Sequence, residues 1–113
     1  MVTNTRPRSA GAFGAIADPT RRAILDLLRT GDLCAGDLAK RFPVSRPAIA
    51  KHVRILRSAG LLREHRRAQQ RIYSLDPAAL GEIDNWLAPY RLFWAARLTD
   101  LKQLLESTEN RND

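Results

Sequence analysis

The chain has little of what most chemistry at a protein surface requires. Across 113 residues there is one cysteine, Cys34, so no disulfide can close within it, and one thiolate cannot by itself hold zinc. Reducing surroundings fit that usage best. Histidine is as scarce, with His52 and His65 alone. Catalytic pairs of His with Cys or Ser need convergent placement, and no nucleophile motif accompanies them. The short Gly11-to-Gly14 stretch follows no strand, and no Gly-rich phosphate loop is present. An enzyme is therefore not expected. No apolar run approaches the roughly 18 to 20 residues that cross a bilayer, and MVTNTRPRSAGAF lacks the apolar stretch of a secretion signal. The expectation is a cytoplasmic protein without membrane attachment.

Acidic charge is missing from one region in particular. Residues 40–71 carry ten Lys or Arg against Glu64 alone, a balance of +9 within a chain whose total is +7. Residues 1–39 hold five Arg against four Asp, and residues 72–113 hold four basic against seven acidic side chains. Basic charge gathered in this way concentrates a polyanion, and nucleic acid is the commonest one in a cytoplasm. Of the 19 basic residues 16 are Arg, whose planar fork suits phosphate and guanine edges better than a solubilising role demands.

The periodicity gives one domain, which the length also favours. Residues 1–9 form a loose arm, 10–106 the folded domain and 107–113 a frayed tail. AGAFGAIA suggests a short helix to Ala17. In ADPTRRAILDLLRTG, Asp18 caps a second helix, Pro19 takes its first position, Gly31 ends it, and Ile24, Leu27 and Leu28 share a face. DLCAGDLAKRF reads as a third helix with Leu38 and Phe42 inward, stopped by Pro43. Ser45 caps a fourth, closed by Gly60, in which Ile49, Val53 and Leu56 make a buried stripe opposite Pro47, Lys51, Arg54 and Ser58.

LLREHRRAQQRIYSL, residues 61–75, then reads as a two-stranded hairpin. Its tip lacks Asn-Gly or Asp-Gly and is expected to be loose. Asp76 and Pro77 start a long last helix to about Glu106, with Pro89 predicted to kink or briefly break it. The fold class is mainly α with a small β-hairpin, a winged helix-turn-helix.

In that arrangement the 45–59 helix enters the DNA major groove, which is about as wide as a helix. Arg46, Lys51 and Arg54 are the groove contacts, Ser45 a phosphate donor, and Pro47, Ala48 and Ala50 are small enough for close approach. His52 is included among the contacts, although its place nearer the core suits a structural hydrogen bond equally well. Arg66, Arg67, Gln69, Gln70 and Arg71 form the wing, reaching backbone or minor-groove edges. Arg57 and Arg63 fit surface solubility and DNA contact alike.

These segments resemble the ArsR (arsenical-resistance repressor) family of bacterial winged-helix regulators. The likeness rests on FGAIADPTRRAILDLLRTG, LAKRFPVSRPAIAKHVRILRSAGLL and RIYSL, and spans roughly residues 12–106. It implies a homodimeric repressor of an inverted-repeat operator in double-stranded DNA, dimerising through its terminal helices. The family's thiolate metal motif is only half present: in DLCAGDL, Cys34 is kept and Gly36 stands where the second thiolate belongs. The family's other metal site uses His and carboxylates on the last helix, and no His follows His65. No metal and no cofactor are expected. A small-molecule effector is compatible with the family but unspecified.

In place of ligands the last helix has Trp86, Tyr90, Phe93 and Trp94. It thus resembles an aromatic-rich branch in which Phe13, Trp86, Tyr90, Phe93, Trp94, Leu98, Leu101 and Leu105 form the dimer interface. Completing a monomer core is the alternative for the aromatics. For the whole chain the alternatives are an effector- or metal-responsive sensor repressor and a winged-helix protein-interaction module without DNA binding.

Overall fold

The computed structural model describes residues 11–111. The expected 1–9 arm lies outside them. Five α-helices and three short strands follow in the order α1 (Gly11–Ala15), α2 (Pro19–Arg29), β1 (Leu33–Cys34), α3 (Ala35–Lys40), α4 (Arg46–Ser58), β2 (Leu62–Arg67), β3 (Gln70–Leu75) and α5 (Leu80–Arg111). The chain divides into two compact units, one reaching Glu82 and the other beginning at Ile83.

Within the first unit the helices start and stop where side-chain chemistry directs. Asp18 accepts the Arg21 amide at 3.0 Å with Pro19 at the first position of α2. Ser45 accepts the Ala48 amide at 3.2 Å to cap α4. Each cap satisfies a backbone donor that the first turn leaves without a partner. At the far end of α4, Gly60 takes φ +78, a left-handed conformation that costs glycine little. Its amide donates to the Arg57 carbonyl at 3.0 Å, and the Leu61 amide to that of Leu56, also at 3.0 Å. This paired closure turns the chain directly into the hairpin, with Leu56 and Leu61 both fully buried beside it.

Ile49, Val53 and Leu56 form the buried stripe of α4, as its spacing predicts. They meet Ile24, Leu25 and Leu28 of α2, Leu38 of α3, Ala12 and Ala15 of α1, and Leu61, Leu62 and Tyr73 of the hairpin segment in the core. On α2 the buried neighbour of Ile24 and Leu28 is Leu25, while Leu27 is half-buried. Phe42 is also only half-buried, beyond the end of α3.

The sheet has three antiparallel strands in the order β1-β3-β2. The sequence predicts only the last two. β1 is two residues long, pairing Leu33 with Tyr73 and Cys34 with Ile72, and ordinary strand periodicity cannot appear in so short a segment. The hairpin runs from Leu62 opposite Leu75 to Arg67 opposite Gln70, leaving Ala68 and Gln69 as its turn. The expected loose tip is thus a tight two-residue turn. Positive φ at its first central position replaces the missing glycine: Ala68 has φ +58, the one non-glycine residue with positive φ among those described.

A left-handed alanine costs about 1–2 kcal/mol relative to the right-handed regions. Ala68→Gly should therefore stabilise the protein by about 0.5–1 kcal/mol after the greater unfolded-state freedom of glycine is subtracted. Thermal unfolding should show a midpoint raised by a few degrees; an unchanged or lower midpoint would contradict a strained turn.

In the second unit α5 continues without interruption through Pro89, so the short break predicted there is absent. A 3-10 turn, Pro77–Ala79, precedes the helix, capped by Asp76, whose carboxylate accepts the Ala78 amide at 3.1 Å. The helix then reaches Arg111, well into the 107–113 stretch.

Candidate nucleic-acid interface

The residues that anchor α4 leave its other side to solvent. Arg46, Pro47, Ala50, Lys51 and Arg54 are exposed, as is Ser45 at the cap, and Ala48 is half-buried. The 13-residue helix is about 20 Å long at 1.5 Å per residue, enough to present these positions along a groove. On the hairpin Arg66, Arg67, Gln69, Gln70 and Arg71 are all exposed around the turn. Antiparallel partners share a sheet face, so Arg66 and Arg71, which pair directly, project together.

Charge pairing separates these cations into two groups. Arg57 meets Glu64 at 3.1 Å and Arg63 meets Asp76 at 3.8 Å. Among the described residues no carboxylate forms an ion pair with Arg46, Lys51, Arg54, Arg66, Arg67 or Arg71. Six exposed cations on α4 and the wing thus remain uncompensated. Like charge at this density costs free energy that a bound polyanion would relieve.

His52 occupies a different setting. It is half-buried on α4, with Nδ1 3.4 Å from Arg21 Nη1 and 3.9 Å from the Asp18 carboxylate. Arg21 in turn donates through Nε to the Ala15 carbonyl at 2.6 Å and through Nη2 to that of Gly14 at 3.3 Å. Arg22 donates to the Ile16 carbonyl at 2.8 Å. The two arginines therefore cap the carbonyl end of α1, where the Gly14 carbonyl also accepts the Ala17 amide at 3.2 Å, and Arg21 links that end to the imidazole of α4.

Asp18 is held below the ordinary carboxylate value chiefly by the Arg21 amide, against an opposing push from partial burial. Sequence reasoning assigned Asp18 a cap but gave Arg21 no role. The available signal was an Arg at the third helical position, directly after a capped start.

Cys34 is half-buried in β1. Among the described residues no three His, Cys, Asp or Glu side chains gather as a metal site would require. Nor is any helix among them long and apolar enough to cross a membrane.

On α5 the sequence-predicted interface residues Trp86, Tyr90, Phe93, Trp94, Leu98, Leu101 and Leu105 are each 48–62% exposed, and Leu104 is exposed with them. At 100° per residue they occupy an arc of about 140° on the helix. Trp86 and Tyr90 stack with ring centroids 4.7 Å apart, and the Arg97 guanidinium lies 5.0 Å from the Phe93 ring centre. Phe13 belongs to α1 and is half-buried.

Residues 18–64 match the family described as bacterial regulatory protein, arsR family. The chain is similar to the transcriptional repressor SdpR of Bacillus subtilis (strain 168), with 48% identity over 75 residues, 66% of this chain and 83% of that protein. It is 41% identical over 96 residues to the HTH-type transcriptional regulator Rv2034 of Mycobacterium tuberculosis (strain ATCC 25618 / H37Rv), covering 85% and 87% of the two chains. Among solved structures, an ArsR-like transcriptional regulator from Rhodococcus sp. RHA1 superposes with a TM-score of 0.65 at 36% identity, covering 86% of this chain and 92% of that one.

Proposed function

The chain belongs to the ArsR family of bacterial regulatory proteins, and on that premise we propose that it is a homodimeric repressor of an inverted-repeat operator. Its α4 reads the major groove and its wing anchors on the backbone or minor groove of double-stranded DNA. The family is one of transcriptional regulators rather than enzymes, and its winged-helix fold is the architecture described above.

The observation that carries this reading is the set of six uncompensated cations. Arg46, Lys51 and Arg54 stand on the solvent side of α4, and Arg66, Arg67 and Arg71 on the wing. A helix fits the major groove in width, and each guanidinium or ammonium placed there meets phosphate oxygens or the acceptor edge of guanine. Pro47, Ala48 and Ala50 leave the helix face low, so that the backbone approaches the bases. Ser45 keeps its hydroxyl proton for a phosphate while its oxygen caps the helix. His52, held beside Arg21 and Asp18, sets the pose of α4 more readily than it touches DNA.

The second copy follows from α5. Two reading helices about one DNA turn apart bind an inverted repeat far more tightly than one helix binds a half-site. Burying the aromatic arc of α5 against the same arc of a second chain supplies that pairing. No metal or cofactor takes part, and the protein acts in the cytoplasm, where the DNA is.

The test is a gel shift with duplex from the protein's own upstream region against random-sequence duplex of equal length. A preference of at least about a thousandfold, the lower end for specific regulators, is expected at moderate salt. Equal binding to both duplexes would contradict sequence-specific repression.

A further inference from the structure

Glu64 is the single acidic residue between positions 40 and 71, in the midst of ten basic ones. It is placed with some care. On β2 it pairs in register with Tyr73, which is buried, so its side chain lies on the core face of the hairpin and not on the solvent face. From there it reaches α4, where it meets the Arg57 guanidinium at 3.1 Å; its side chain is 19% exposed and that of Arg57 48%. An open groove of about 490 Å³ runs along this junction, lined by Arg54, Arg57, Ser58, Leu62, Arg63 and Glu64.

We propose that Glu64 restrains DNA binding: it withholds Arg57 from phosphate contact and so limits the sequence-independent part of the protein's affinity for DNA. The inference rests on the DNA-binding reading above. Arg57 lies in the last turn of α4, beside the groove and near the wing, a position from which a free guanidinium would meet any phosphate backbone that the helix approached. Such contact adds affinity without sequence information.

Occupied by Glu64, Arg57 adds no net charge to the surface, whereas Arg54, one turn earlier, has no carboxylate partner among the described residues. The readout of the helix is then weighted toward Arg46, Lys51 and Arg54.

Binding to a random-sequence duplex, measured across a salt series, tests this. Glu64→Gln keeps the shape of the side chain and removes its charge. Affinity for random duplex should rise about three- to tenfold, and the dependence of log affinity on log salt should steepen by about one unit, the signature of one added phosphate contact.

Two double variants separate release of Arg57 from a general gain of positive charge, since they carry the same net charge. Glu64→Gln with Arg57→Ala should return to the wild-type affinity and slope. Glu64→Gln with Arg29→Ala, which removes an exposed charge at the end of α2, should keep the gain.

If both double variants behave alike, net charge is the cause and the proposal fails. It also fails if Glu64→Gln leaves random-duplex affinity and slope unchanged while the wild type binds DNA in the expected way. A wild type that binds no duplex overturns this inference together with the DNA-binding reading, which distinguishes the two failures.

Discussion

Leu101→Glu should convert the protein from a dimer to a monomer and lower its operator affinity by at least a hundredfold. The reason lies in what α5 presents. Trp86 at 55% exposure, Phe93 at 59%, Trp94 at 62% and Leu101 at 52% lie along one arc of a single chain. An aromatic side chain buries about 150–250 Å² when fully covered, and Trp86, Tyr90, Phe93 and Trp94 are each a little over half exposed, so together they supply on the order of half of the roughly 800 Å² per partner of an ordinary interface. A contiguous apolar patch of this size marks an interaction surface.

A two-fold pairing would also bring Leu101 of each copy into the same apolar seam, so one substitution buries two carboxylates without partners. Burying an ionised carboxylate without a partner is costly, and here two are buried together. DNA affinity falls with it because the second half-site becomes a separate bimolecular event, which forfeits about two to four orders of magnitude. Light scattering should give twice 12.7 kDa for the wild type and 12.7 kDa for the variant. A variant that remains dimeric, or a wild type that is monomeric at micromolar concentration, would contradict the assignment of this face.

The second large effect separates reading from anchoring. Arg46→Ala or Lys51→Ala should reduce operator affinity by about ten- to a hundredfold, equivalent to the 1–3 kcal/mol of a good base contact, while affecting random duplex much less. Arg67→Ala, at the wing, should weaken both duplexes to a similar degree and make the salt dependence shallower by about one unit. The expected difference follows from position: α4 presents its cations along a surface kept low by Pro47 and Ala50, whereas Arg67 flanks the hairpin turn, which on the proposed reading meets the DNA backbone. Parallel losses in all three variants on both duplexes would remove the division of labour.

Much of the architecture is legible from local rules. Ser45 and Asp18 announce caps because a short polar oxygen placed before an amphipathic run has few other uses, and both accept the amide expected of them. Ile49, Val53 and Leu56 announce the buried side of α4 because a helix brings those spacings together.

The elements that escape local rules are set by distant partners. β1 exists because Leu33 and Cys34 find Tyr73 and Ile72, about forty positions away, and nothing in two residues signals that pairing. The turn at Ala68 and Gln69 is tight although its residues disfavour it, since the paired strands fix where the chain must reverse. Pro89 interrupts no helical assignment, for one missing hydrogen bond does not end a helix whose remaining turns continue on either side.

The candidate site divides in the same way. Which cations lie outward on α4 follows from the angle of Lys51 and Arg54 against the buried stripe, so their exposure was predictable. Which cations carry a counter-charge was not: the Glu64 bond to Arg57 depends on the hairpin register, and the contact of Arg21 with His52 joins residues 31 positions apart. From the sequence, Arg57 and Arg63 are equivalent. Each has an acidic neighbour, but the Arg57 pair is the closer, at 3.1 Å against 3.8 Å.

The central claim is that uncompensated cations on α4 and the wing hold duplex DNA. Its most direct test is the salt dependence of wild-type affinity for the upstream inverted-repeat duplex. Two copies bearing these side chains should give a log–log slope on the order of −5 to −10, with affinity falling by several orders of magnitude between about 50 and 200 mM salt. A slope near zero, or no binding at the lowest salt, would contradict the claim.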